Sequence, residues 1–156
     1  MSPYRIELLR GQDRKAFASG SPELDDYLRT RASQDMRRRV TSCFVAVDDA
    51  DSVAGFYTLA ATSLVLDGLS ADHAIRLPRY PAIPAVLLGR LAVALSHQGK
   101  RLGGALVADA LLRAARSEVM VYAMVIDAKD EAAVRFYEHL GFTRLDDDPR
   151  RLIRAL

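Results

Sequence analysis

Gly89 to Leu112 reads GRLAVALSHQGKRLGGALVADALL. Ala85 to Leu95 (AVLLGRLAVAL) leads into this stretch as an apolar run and predicts a buried strand. Gln98 to Gly104 (QGKRLGG) predicts a glycine-rich turn. Val107, Ala110, Leu111 and Ala114 then fall at i, i+3, i+4 and i+7, which predicts a helix to about Ser117. Strand, turn and helix in this order are consistent with two uses. Glycine lets a backbone approach a ligand closely, and consecutive N–H groups at a helix start form an anion site suited to a pyrophosphate. A strand-to-helix connection also needs glycine simply to turn, and this spacing matches neither the Rossmann nor the P-loop pattern.

Downstream, Val119 to Ile126 (VMVYAMVI) predicts another buried strand. Lys129 to Leu140 predicts a helix with Phe136 and Leu140 on one face, ended by Gly141. Phe142 to Leu145 and Arg151 to Leu156 predict a last strand pair, and Asp146 to Asp148 a turn. Upstream, Tyr4 to Leu9 predicts a first strand. Ser21 as cap and Pro22 at the first position open a helix to about Arg37. Thr41 to Val47 and Val53 to Ala61 flank the polar turn at 48–52 as a hairpin. Leu64 to Leu77 reads as mixed, with a short helix. Pro78, Pro81 and Pro84 punctuate an extended segment. Helices and strands alternate around one sheet, an α/β (α+β) arrangement in a single domain over 1–156.

Composition narrows the functions. Half of the 156 residues are hydrophobic, enough for a core without staples. One cysteine, Cys43, excludes an internal disulfide framework, and His73, His97 and His139 lack metal-ligand spacing, so no metal is expected. Lys and Arg total 22 against 20 Asp and Glu; the net charge of +2 argues for no polyanion partner by itself. The apolar runs are too short for a membrane span and the first residues hold no apolar signal core, so the expectation is a cytoplasmic protein without a membrane partner. Positive charge is densest at Arg29, Arg31, Arg37, Arg38 and Arg39. A solvated helix end explains that cluster, and so does a groove for an anion. Arg90 stands in an apolar strand, where an unpaired charge is costly, as a structural ion-pair member or a substrate contact.

The second informative stretch is DAKDEAAVRFYEHLGF, in which Tyr137 precedes Gly141-Phe142. Alone it is a helix with a rim tyrosine and a glycine stop. Paired with the Gln98-Gly99-Lys100-Arg101-Leu102-Gly103 loop and Gly104, it resembles the GNAT superfamily of acetyl-CoA-dependent N-acetyltransferases, with its Q/R-x-x-G-x-G/A loop and Y-x-x-x-G-F ending. The stretches LDDYLRTRASQDMRRRV, VAGFYTLAATS, LPRYPAIPAVLLGRLAV and DDPRRL are similar to GNAT toxins of type II toxin–antitoxin modules, so the likeness spans nearly the whole chain. Two departures stand out: Arg101 where the superfamily has glycine, and Ala94 where related sequences have Asp.

The resemblance implies a GNAT fold: a mixed central sheet with a splayed pair of fourth and fifth strands and helices on both faces. It implies acetyl-CoA as co-substrate, held by Leu91, Ala92, Val93, Gln98, Gly99, Lys100, Arg101, Leu102, Gly103, Gly104, Asp130, Ala133 and Phe136. In it the Val93 N–H polarises the thioester carbonyl, and Tyr137 donates a proton to the departing thiolate. Cys43 needs no nucleophilic role. The toxin likeness further implies acetylation of the α-amine of aminoacyl-tRNA. It also implies a basic substrate rim of Arg37, Arg38, Arg39, Arg76, Arg79 and Arg90, a ribbon-helix-helix antitoxin and a homodimer. The alternatives are acetylation of a small-molecule amine or protein N-terminus, and a GNAT-like module without catalysis.

Overall fold

The computed structural model describes residues 3–65 and 82–156. The chain forms two compact units, Met1–Ala60 with Gly89–Ala110 and Ala61–Leu88 with Leu111–Leu156.

The first unit begins with β1 (Arg5–Leu8). It continues through a helical stretch made of α1 (Pro22–Asp26), a π-helical segment (Tyr27–Arg31) and α2 (Ala32–Arg37). Ser21 caps the stretch by accepting a hydrogen bond from the Leu24 N–H, and Pro22 has no N–H to leave unsatisfied. β2 (Ser42–Val47) pairs antiparallel with β1 and with β3 (Val53–Val65). The Asp48 carboxylate accepts from the Ala50 and Ser52 N–H groups at 2.9 and 3.0 Å, closing the hairpin between them. The unit takes the part of β4 (Ala82–Val93) from Gly89 onward, a 3-10 turn (Leu95–His97), and most of α3 (Leu102–Ala115). At Gly55 an added Cβ would come within 3.1 Å of both the Ala92 carbonyl and the Leu106 side chain, so only glycine lets α3 lie this close to the strands. Phe17, Tyr27, Leu28, Cys43, Val45, Val47, Phe56 and Ala92 are among the side chains that build the core here. Burial of each large one is worth roughly 1.5–3 kcal/mol.

The second unit orders its strands β4-β5-β7-β6, with β5 (Ala123–Asp127), β6 (Thr143–Arg144) and β7 (Arg151–Ala155). β4 and β5 run parallel from Ala85 opposite Ala123 to Leu88 opposite Ile126, and there the pairing stops. β7 is antiparallel to both neighbours, so the sheet is mixed, as the GNAT resemblance implies. Leu64, Ile83, Ala85, Ala123, Val125, Leu145 and Ile153 pack as this unit's core. α4 (Glu131–His139) buries Val134 and Tyr137 and ends at Gly141, whose φ of +92° suits glycine.

Several boundaries depart from the sequence reading. β4 starts three residues early, takes in Pro84, and stops at Val93; Leu95 belongs to the 3-10 turn and is 58% exposed. Gly103 and Gly104 lie inside α3 rather than in the turn. β5 begins at Ala123, leaving Val119 and Met120 outside the strand and 77% exposed. α4 buries the Val134–Tyr137 face, so Phe136 is at its rim. β3 runs on to Val65, and the helix expected within 64–77, Pro78, Pro81, His73, Arg76 and Arg79 lie, from residue 66 on, outside the described residues. Among the described residues no helix is long and apolar enough to cross a membrane.

Candidate active site

In the first unit the segment after β4 is tied down before it reaches the glycines. The Ala94 N–H donates to the Ala54 carbonyl and the Leu95 N–H to the Ala18 carbonyl, both at 2.8 Å. The Gln98 side chain donates to the Ser19 and Val93 carbonyls at 3.1 Å each, so its amide braces the loop. Gly99 has φ of +79°, with open space where a Cβ would stand. Arg101 has φ of +63°, so the arginine keeps a left-handed backbone that glycine adopts freely, at a cost of roughly 1–2 kcal/mol. Lys100 and Arg101 are exposed, whereas Leu102 is buried and pins the helix start. The Ala105 N–H donates to the Arg101 carbonyl at 3.2 Å and opens the helical ladder, so the N–H groups of Leu102, Gly103 and Gly104 precede it. Backbone N–H groups at a helix start, two glycines among them, and two flanking cations fit a pyrophosphate. Leu91 and Val93 are half-buried and Ala92 is buried at the end of β4.

The loop's neighbour His97 is half-buried. Its Nδ1 lies 2.7 Å from the Tyr4 hydroxyl and its Nε2 3.7 Å from the Asp48 carboxylate. Arg90 stacks 3.6 Å above the Tyr27 ring, a cation–π contact that meets the cost of its burial without an ion pair among the described residues. The Tyr27 hydroxyl donates to Asp35 at 2.8 Å and fixes that ring. Arg37 closes α2, Arg38 caps it, and Arg39 at φ of +62° turns the chain away; all three are exposed. Burial pushes the Cys43 thiol up to about 12, so it stays a thiol inside the core and is no nucleophile. Sequence reasoning missed the Tyr27 shelf and the Tyr4–His97–Asp48 contacts. An aromatic at helical spacing signals only a core, and contacts across 49 and 93 positions leave no local pattern.

In the second unit the Asp130 carboxylate accepts from the Ala133 N–H at 2.8 Å and caps α4. Ala133 is half-buried and Phe136 sits at the rim. The Tyr137 ring is edge-on to Phe136 at 5.1 Å and to Phe142 at 5.9 Å, which fixes its orientation. Burial pushes its phenol up to about 12. It is therefore protonated at neutral pH, a proton donor and not a base. Asp127 and Arg151 form a two-point pair at 2.7 and 3.0 Å that holds the Asp127 carboxyl below its ordinary range. Among the described residues no three His, Cys, Asp or Glu side chains converge as a metal site.

The first unit thus has a glycine-opened helix start after a strand, and the second a protonated tyrosine one turn before a helix stop. Residues 39–144 match the acetyltransferase (GNAT) domain family. The chain belongs to the GNAT acetyltransferase family and is an acetyltransferase. Over 154 residues it is 36% identical to a tRNA-acetylating toxin of Mycobacterium tuberculosis (strain ATCC 25618 / H37Rv), covering 97% of this chain and 90% of that one. It superposes on AtaT complexed with acetyl-methionyl-tRNAfMet with a TM-score of 0.89 at 28% identity, covering 97% of this chain and 94% of that one. A tyrosine-to-phenylalanine mutant of AtaT, bound to the C-terminus of the antitoxin AtaR and acetyl-CoA, gives a TM-score of 0.81 at 26% identity, with 99% and 94% covered.

Proposed function

We propose that this enzyme transfers the acetyl group of acetyl-CoA to the α-amine of an aminoacyl-tRNA, blocks translation, and is held in check by an antitoxin. The observation that carries this reading is the 36% identity to a tRNA-acetylating toxin over 97% of the chain. Likeness confined to a cofactor loop would leave the acceptor open; likeness across the whole length includes the surface that meets it.

Acetyl-CoA supplies an activated thioester and an anionic pyrophosphate. The N–H groups of residues 99–104 receive the pyrophosphate, with Lys100 and Arg101 adding charge. The end of β4, Leu91 to Val93, offers its strand edge to the pantetheine amides, and the Val93 N–H polarises the thioester carbonyl. The neutral amine attacks that carbonyl carbon, the new C–N bond forms and the C–S bond breaks. Tyr137 gives its phenolic proton to the departing thiolate, and the amine's surplus proton leaves to solvent. No residue needs to carry the acetyl group. Arg37, Arg38, Arg39 and Arg90, and in sequence Arg76 and Arg79, supply positive charge for the RNA. The antitoxin is of the ribbon-helix-helix type, the enzyme a homodimer, and its compartment the cytoplasm.

The test is transfer of radiolabelled acetyl to a pool of charged tRNA. Label is expected in the aminoacyl moiety, released together with the amino acid by mild base. Label on free amines or protein N-termini, with none on charged tRNA, overturns the reading.

A further inference from the structure

We infer that an open cavity of about 490 Å³ in the first unit, lined by Gly11, Gln12, Asp13, Arg14, Lys15 and Arg29, is a docking site for an RNA backbone phosphate. It is a second contact for the tRNA, separate from the arginines at 37–39, and it rests on the aminoacyl-tRNA reading above.

Charge is the first argument. Three cations face the single carboxylate of Asp13, a net lining charge of +2. Asp13 also accepts the Lys15 N–H at 3.1 Å within its own turn, which occupies that carboxylate. Preorganisation is the second. Arg14 donates to the Leu28 carbonyl at 3.0 Å and to the Ser33 hydroxyl at 2.9 Å, and Arg29 donates to the Phe17 carbonyl. These acceptors are neutral, so they hold the guanidinium groups without cancelling their charge. None of the three cations forms an ion pair among the described residues. A guanidinium has five N–H donors in a planar fork. Arg14 uses two and Arg29 one on the protein, and the rest remain for a ligand.

The local backbone is the third argument. Arg29 sits in the middle of the π-helical segment Tyr27–Arg31. Such segments are rare and concentrate at functional sites. An immobilised pair of arginines beside a lysine suits the two free oxygens of a phosphodiester, which a guanidinium meets two bonds at a time.

The experiment measures binding of a charged tRNA pool across a salt series, together with acetyl transfer, for wild type, Lys15→Glu and the Lys15→Gln/Arg29→Gln double variant. Lys15→Glu is expected to weaken tRNA binding about tenfold at moderate salt. The double variant is expected to lower the log–log salt slope by about 0.7–0.9, the value for one lost phosphate contact. Acetyl-CoA affinity and Tm stay at wild-type values. Lys15 is exposed, so its variant carries the test alone should Arg29→Gln unfold the chain. Wild-type affinity and slope in both variants, with wild type still acetylating charged tRNA, overturns the pocket and leaves the substrate reading standing. No acetylation of any charged tRNA by wild type overturns the substrate reading and the pocket with it. Intact tRNA binding with loss of antitoxin binding also overturns it, and assigns the cavity to an acidic peptide.

Discussion

Tyr137 combines the two properties that the proposed proton transfer needs, a proton held at neutral pH and a ring fixed between Phe136 and Phe142. Replacing it by phenylalanine removes one hydroxyl and leaves both ring contacts. Tyr137→Phe is expected to fold normally, to bind acetyl-CoA as wild type does, and to turn over about 10²–10⁴ times more slowly. Steady-state kinetics and calorimetric acetyl-CoA binding on one preparation check this; wild-type turnover removes Tyr137 from the reaction. The loop glycines make a different prediction. Nothing stands within 4 Å of a Cβ at Gly99, so its only constraint is φ of +79°. Gly99→Ala is expected to cost roughly 1–2 kcal/mol in stability through backbone conformation alone. Urea denaturation reads it; a neutral result would mean that the loop re-forms with another backbone.

At the scale of elements, the helix end at 37–39 has two readings with separable outcomes. Arg39 lies in the left-handed region, and alanine carries the same Cβ as arginine, so the strain there is unchanged on substitution. The triple change Arg37→Ala, Arg38→Ala, Arg39→Ala is expected to move stability by less than about 0.5 kcal/mol. It is expected to lower the tRNA salt slope by ~0.7–0.9 per lost contact, with acetyl-CoA affinity intact. Unchanged tRNA affinity and slope would reduce the cluster to a solvated helix end. The elements themselves were legible where a residue type forces a backbone. Ser21-Pro22 opens a helix, Gly141 closes one, and four of the five residues of the hairpin turn at 48–52 are Asp or Ser. Legibility failed where a partner decides. The apolar run from Val119 does not say where pairing begins; backbone partners on β4 and beyond β7 start at Tyr122 and the strand registers at Ala123, while Val119 and Met120 stay exposed. The π-helical segment leaves no signature either, since Tyr27 and Leu28 sit at spacing that an α-helix also satisfies. The candidate site was legible as motif, in Gln98 to Gly104 and Tyr137 to Phe142. The Gln98 brace and the Arg90–Tyr27 stack were not, because they depend on which strand ends meet which helix.

For the molecule as a whole, the buried acids set an alkaline limit. Burial is the leading cause at Tyr27, Cys43 and Tyr137, each raised to about 12 from ordinary values of 10.0, 9.0 and 10.0. The unfolded chain releases these protons first. The native state therefore holds more protons across that window, and stability present below about pH 9 is lost as pH rises toward 12. Urea midpoints at a series of alkaline pH values are expected to start falling near pH 9 in wild type and near pH 10 in Cys43→Ala. An identical onset in the two proteins would place the lost protons elsewhere.

The division of the chain has a consequence for its birth on the ribosome. Residues 1–60 belong with 89–110, so the first unit has all its parts only when residue 110 has been made. At roughly 5–20 residues per second, the intervening 50 residues take about 3–10 s. During that interval Phe17, Val45 and Phe56 wait without Ala92 and Ala94, which complete their cluster. The nascent chain thus carries an unfinished apolar surface for seconds, a window in which a chaperone or a second nascent copy competes with its own later residues.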